Sequence, residues 1–279
     1  MQGIAQPYHA APAPRVQPGD EVIRISGMSA GYEEKVVLSD IDLEVRRGEV
    51  LALIGQSGCG KSTLLRCIAG LLEPLDGDVV VLGRRLPVRD ESERRKLLAR
   101  MGMVFQQNAL LGSMTVAENV ALPVLEHTSL GHEISRQLAL GKLVQVGLDG
   151  WGDKLPAQLS GGMQKRAALA RSIALEPELL LCDEPIAGLD PVVASGIDRL
   201  ITSLAHRLGM TVVMVTHELA SIQTIVSRAV LVVDGRIHAV GHPTELARST
   251  DPKVHAFFHR VPPDEAAAGS SVIEKLEES

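Results

Sequence analysis

The run LSGGM at 159–163 lies between GQSGCGKS at 55–62 and LLLCDE at 179–184, and that order decides how the whole chain is read. Gly55 and Gly60 frame a loop whose backbone N–H groups can wrap a polyphosphate, because glycine permits close approach. A helix expected to start near Lys61 adds its positive N-terminal end to the same site. In such a loop Lys61 reaches the β- and γ-phosphates and the Ser62 hydroxyl ligates Mg²⁺. The apolar strand before the loop and the helix after it separate this pattern from a chance glycine-rich turn.

Asp183 ends an apolar strand, where a Mg²⁺-holding carboxylate belongs in phosphate-loop proteins, and Glu184 follows at once. On a strand the two side chains would point to opposite faces, so they cannot share one task. Ser160 is positioned to open a helix running to about Leu175, with Gly161 and Gly162 leaving its first N–H groups open to an anion. Taken alone, Ser160 reads as an ordinary N-cap worth about 1 kcal/mol.

The chain has 279 residues, 45% hydrophobic and 22% charged, enough to bury a sizeable core. A net charge of −6 does not favour nucleic acid or an anionic lipid surface. Unbroken apolar stretches such as 50–54 and 229–233 fall far short of the ~20 residues that span a bilayer. Residues 1–20 lack the charged and apolar regions of a secretory signal, so a cytoplasmic protein is expected, reaching any membrane through a partner. Cys59, Cys67 and Cys182 show neither metal-ligand spacing nor an even-numbered disulfide framework. They read as small apolar filler, with a redox role for Cys59 as the alternative.

Residues 1–20 are expected to form a disordered tail, being rich in Ala and Pro with no apolar period. Short β-type runs follow from Val22 to Leu53, with Ile41, Leu43 and Val45 alternating against Asp42 and Glu44. The 51–54 run predicts a buried strand, 61–72 a helix, and 79–82 a further strand after a turn at Asp76–Gly77. Residues from about 107 to 173 change character to helical runs, including 134–146 closed by Gly147. Two buried strands, 179–182 and 211–216, flank an amphipathic stretch at 198–208, a β-α-β pattern that argues a parallel sheet. Asp234–Gly235 turns a hairpin. No internal repeat is present, so a single copy of this unit is expected.

From about Val22 to Arg260 these segments resemble the nucleotide-binding subunit of an ATP-binding cassette (ABC) transporter. The resemblance implies an α/β fold: a P-loop NTPase core of ABC-ATPase type over 21–260, with an antiparallel β subdomain and a helical insertion at about 107–173. It implies that ATP sits on Gly55, Gln56, Ser57, Gly58, Cys59, Gly60, Lys61, Ser62 and Thr63. Tyr32, one of six aromatic residues in the chain, is placed like the aromatic that stacks on adenine. By the same resemblance Ser62, Asp183 and Gln106 hold Mg²⁺, Glu184 polarises the attacking water, and His217 contacts the γ-phosphate. Gln107 stands beside Gln106 as an alternative for its role. Two copies would pack head to tail, so that Ser160, Gly161, Gly162 and Asp190 complete the ATP site of the opposite subunit. The chain has Met163 where the family more commonly has Gln.

A finer likeness appears in 109–130, in LSGGM with KRAALARSIALEPELLLCDEP, and in DPKVHAFF at 251–258. These runs look like the ATPase of Mla-type phospholipid transporters, which serve MCE-domain proteins between the inner and outer membranes. That implies a homodimer, a polytopic permease, an MCE-domain protein and a STAS-domain subunit as partners, at the cytoplasmic face of the inner membrane. The segment 261–279 is then a C-terminal extension, either a free tail or one that reaches across to the other subunit. The rival readings are the ATPase of a small-solute importer and a soluble ABC protein outside transport.

Overall fold

Two strands of 12 residues each, β1 (Glu21–Tyr32) and β2 (Lys35–Arg46), form an antiparallel pair at the start of the described chain. The computed structural model describes residues 21–33 and 35–260; the expected tail at 1–20 and extension at 261–279 lie outside them. Alternation explains the length of β2: Ile41, Leu43 and Val45 are buried while Asp40, Asp42, Glu44 and Arg46 face solvent. The expected short runs are thus two long strands.

The second sheet is built from β3 (Val50–Ile54), which runs into helix α1 (Lys61–Ile68). Strands β4 (Asp76–Val81) and β5 (Arg84–Leu86) return to the first sheet, whose order is β2-β1-β4-β5. The predicted turn at Asp76–Gly77 is therefore the beginning of β4. Helix α1 ends four residues earlier than the pattern suggested, because Gly70 takes φ +68° and its N–H returns to the Cys67 carbonyl.

Helix α2 (Glu91–Ala99) leads to β6 (Met101–Val104), and then helices α3 (Val116–His127), α4 (His132–Gln145) and α5 (Gly161–Ser172) follow in succession. Thr115 and Glu118 close a capping box on α3, worth about 1 kcal/mol. Asn119, fully buried, folds the preceding loop onto α3. Its Oδ1 accepts from the Leu111 N–H (2.7 Å), and its Nδ2 donates to the carbonyls of Leu111, Met114 and Thr115 at 3.0–3.1 Å.

The remainder alternates: β7 (Leu179–Asp183), α6 (Pro191–Leu208), β8 (Thr211–Val215), α7 (Leu219–Ile225), β9 (Arg228–Val233) and β10 (Arg236–Gly241). Two short helices, α8 (Pro243–Leu246) and α9 (Pro252–His259), end the described chain. The six-stranded sheet has the order β10-β9-β3-β8-β7-β6, parallel except for the β9–β10 hairpin.

Alternate residues of each parallel strand enter different cores. Ala52, Ile54, Leu180, Cys182, Val212 and Met214 pack with α3–α6 on one face. Leu51, Leu53, Leu179, Leu181, Val213 and Val215 pack with α1 and the antiparallel sheet on the other. Burial on both faces is why these strands read as unbroken apolar runs. Each of the valine, leucine, isoleucine and methionine side chains among them contributes roughly 1.5–3 kcal/mol. Cys67 and Cys182 belong to these cores, and burial pushes their thiols up to about 11 and about 12. Among the described residues no helix is long and apolar enough to cross a membrane.

The strand order β3-β8-β7-β6 has a chemical consequence. All four strands run in one direction, so the segments after Ile54, Val215, Asp183 and Val104 emerge in a row along one edge of the sheet. Ligands of open α/β sheets bind at such carboxyl ends.

Candidate active site

The phosphate loop joins β3 to α1 at this edge. Helix α1 starts at Gly60, whose φ of +108° only glycine adopts comfortably, and no side chain caps it or places an acid in its first turn. Helices α2, α3, α5 and α6 have Asp90, Thr115, Ser160 and Asp190 accepting from their first N–H groups. The first N–H groups of α1 thus lack a side-chain cap among the described residues, which suits them to bind an anion at the positive end of the helix.

Gly55 is required for a second reason. A Cβ there would meet the Val232 carbonyl oxygen of β9 at 2.3 Å, so the loop lies directly against the neighbouring strand. The sequence reading attributed this glycine to phosphate approach; packing against β9 demands it as well. The Lys61 side chain is buried, and its ammonium donates to the carbonyls of Gly55 (3.0 Å) and Gln56 (2.7 Å), with the Cys59 sulfur at 3.7 Å. Those contacts hold the cation over the loop, where a polyphosphate would lie.

Ser62, in the first turn of α1, donates from Oγ to Oδ1 of Asp183 at 2.9 Å. Asp183 is the last residue of β7, and Glu184 departs from the strand with φ +48°. The expectation that strand alternation separates the two carboxylates is corrected here: a left-handed backbone turn separates them. Such a conformation in a non-glycine residue costs of order 1 kcal/mol or more, and is held by surrounding structure. The Glu184 N–H still donates to the Val215 carbonyl at 3.0 Å, which fixes where the side chain starts.

That side chain meets two others. Oε2 of Glu184 accepts from Nε2 of Gln106 at 3.0 Å, and Oε1 lies 3.3 Å from Nδ1 of His217. Gln106 follows β6 and His217 follows β8, the strands on either side of β7. Gln107 is exposed, and its side chain makes no hydrogen bond among the described residues, so the geometry brings Gln106 to the carboxylate.

Lys165 was not singled out by sequence reasoning. It lies on α5, is 5% exposed, and donates from Nζ to the Gln106 carbonyl at 2.5 Å. Burial lowers its ammonium below the ordinary lysine range, and the negative charge of Glu184 opposes that shift. A lysine within a basic helix sequence signals nothing about which face turns inward. Arg66 was likewise missed: it donates from Nη1 to the hydroxyl of Tyr32 at 2.9 Å, tying the end of β1 to α1. Tyr32 is 41% exposed.

Ser160, Gly161, Gly162 and Asp190 form a separate group. Ser160 Oγ accepts from the Met163 N–H at 3.4 Å, and Asp190 Oδ1 from the N–H groups of Val192 and Val193 at 3.1 and 3.0 Å. A Cβ on Gly162 would lie 2.6 Å from Cγ1 of Val193, so the starts of α5 and α6 are packed together. No hydrogen bond among the described residues joins this group to 55–63. Ser160, Gly161 and Asp190 are exposed and Gly162 is half-buried between the two helix starts.

Residues 38–187 match the model of the ABC transporter family. The intermembrane phospholipid transport system ATP-binding protein MlaF of Escherichia coli (strain K12) is 40% identical over 224 residues, 80% of this chain and 83% of that protein. MlaF of Haemophilus influenzae is 38% identical over 240 residues, 85% and 90% of the respective lengths. Among solved structures, the dimeric ATP-binding cassette MJ0796 in a post-hydrolysis state with ADP and Pi superposes with a TM-score of 0.73 at 31% identity. It covers 79% of this chain and 98% of that one.

Proposed function

The chain belongs to the ABC transporter family as one of its ATP-hydrolysing subunits, and on that premise we propose that it powers phospholipid movement between two membranes. The observation that carries the ATP chemistry is the meeting of Gln106, Glu184 and His217 beside the Ser62–Asp183 hydrogen bond. The phospholipid cargo rests on the MlaF relatives, which match over four-fifths or more of this chain.

In this reading the N–H groups at the start of α1 and the Lys61 ammonium bind the β- and γ-phosphates of ATP, and Tyr32 packs on the adenine. Glu184 orients the attacking water and accepts its proton, held in position by Gln106. His217 donates toward the γ-phosphoryl, whose charge spreads over its oxygens as the bond to the leaving group lengthens. The residues fit Mg²⁺: a hydroxyl (Ser62), one carboxylate (Asp183) and an amide oxygen (Gln106) are hard oxygen donors. Such donors suit Mg²⁺ over softer metals, and the Ser62 hydroxyl lies 2.9 Å from the Asp183 carboxylate. When bound, the ion would neutralise charge on the phosphate oxygens.

Ser160, Gly162 and Asp190 act on the ATP of a second copy. The exposure of Ser160 and Asp190, and the lack of any hydrogen bond from this group to 55–63 among the described residues, support this. ATP would then be part of the interface, and loss of its γ-phosphate would reopen the pair. The partners are a permease, an MCE-domain protein and a STAS-domain subunit, at the cytoplasmic face of the inner membrane.

The test is a tagged purification from detergent-solubilised native membranes, with proteins and lipids identified by mass spectrometry. A permease arriving with an MCE-domain protein and bound phospholipid is expected. A permease without either would point to a small-solute importer and overturn the cargo assignment.

A further inference from the structure

Helix α5 grips the segment after β6 at several points. Lys165 Nζ donates to the Gln106 carbonyl (2.5 Å), Arg171 Nη2 to Asn108 O (2.9 Å) and Nη1 to Ala109 O (2.7 Å), and Asn108 Nδ2 to Gln164 Oε1 (3.4 Å). Asn108 and Ala109 both have positive φ, +63° and +50°. Asn adopts such angles readily but alanine does not, so the surroundings hold Ala109, and the Arg171 contacts from α5 are part of them.

Lys165 is the costly member of the set. The ammonium of this buried residue has one hydrogen-bond partner among the described residues, the Gln106 carbonyl, with the charge of Glu184 acting on it as well; methionine would fill similar space without the desolvation cost. Packing alone therefore does not account for it. What the contact achieves is continuity. From Ser160, which caps α5, the helix runs to Lys165; Lys165 holds the Gln106 main chain; and the Gln106 side chain holds Glu184.

We propose that Lys165 is a positioning residue, coupling the Ser160-bearing end of α5 to Glu184 of the same subunit through Gln106. The proposal rests on the reading above, in which Ser160 meets the ATP of a second copy and Glu184 orients water. Engagement of α5 by the other site would then set Glu184 for hydrolysis in its own site. This makes the two ATP sites interdependent through a contact that touches neither nucleotide.

The experiment compares steady-state ATP hydrolysis of the intact transporter carrying wild-type or Lys165→Met subunits. The variant is expected to bind ATP with KM within about twofold, while kcat falls on the order of ten- to a hundredfold. The Hill coefficient should drop from about two toward one. Lys165→Arg, which keeps a charged donor, should recover much of kcat. A cycle with Gln106→Ala should be far from additive, since both changes act on one contact chain. Wild-type turnover and cooperativity in Lys165→Met, or additive losses in the cycle, would overturn the proposal. Should Lys165→Met fail to fold, Lys165→Leu, which likewise lacks a donor, serves in the same comparison, with the same outcomes. The underlying reading fails separately: a Glu184→Gln subunit that hydrolyses ATP like wild type removes it whatever Lys165 does.

Discussion

Gln106 and Glu184, 78 residues apart in the chain, meet through a 3.0 Å hydrogen bond from Nε2 to Oε2. The bond links the segment leaving β6 with the turn leaving β7, so the carboxylate is oriented by the neighbouring strand of the sheet. His217, from the strand on the other side, approaches the second oxygen. A carboxylate held from both sides is suited to orienting a water, and each holder can be removed separately.

Glu184→Gln keeps the shape and removes the base. ATP binding should be retained within a few-fold, and turnover should fall by about 10²–10⁴, the usual range for a general base. A nucleotide-loaded dimer should accumulate on size-exclusion chromatography with ATP. Hydrolysis at the wild-type rate would exclude the role given to Glu184.

Gly162 has a steric reason for being glycine within its own chain. Gly162→Ala should push α5 away from α6, because valine is stiff at χ1 and Val193 cannot easily turn aside. If that clash is the whole effect, adding Val193→Ala restores ATPase activity. If the glycine also meets the other subunit's nucleotide, the double variant stays inactive although its thermal stability returns; calorimetry beside ATPase assays separates the two.

Asn119 fills its hydrogen-bonding capacity with the 111–115 loop. Asn119→Ala strands buried backbone groups, at about 1–3 kcal/mol for each group left unsatisfied. Urea unfolding should show a loss of at least that size, with faster amide exchange in residues 111–115. A change under about 0.5 kcal/mol would mean that the loop holds itself.

Asp198 on α6 accepts from the Ser221 hydroxyl at 2.6 Å, while its other carboxylate oxygen is buried without a partner. Burial raises its pKa above the ordinary 3.8, and the charge of Glu218 adds to the rise. The folded state thus binds this proton more tightly than the unfolded chain. Stability is therefore lost as pH rises through the interval between the unfolded and the raised folded value. Asp198→Asn should remove that loss: the variant gains on wild type as pH rises from about 4 toward neutrality. Parallel denaturant curves across that range check it, and a constant difference would refute the assignment.

The α/β class, the parallel strands and the phosphate loop were legible because each is local. The 179–182 run is apolar throughout because both faces are covered, and GQSGCGKS is contiguous. Strand lengths were less legible: the bulged pairing of β1 with β2 carries both strands beyond the short runs expected there. The choice between Gln106 and Gln107 could not be made from neighbouring residues, since it depends on where β6 ends and which way the next side chain leaves.

The sequence by itself determined what kinds of group are present and which elements carry them, because hydrophobic period and turn chemistry act over a few residues. The tertiary structure alone decided their meetings. Strand order brought Gln106, Glu184 and His217 to one sheet edge, and a left-handed turn parted Glu184 from Asp183. Inward rotation of α5 set Lys165 under the Gln106 carbonyl. Those relations depend on which elements pack together across many tens of residues, and no short-range pattern encodes that.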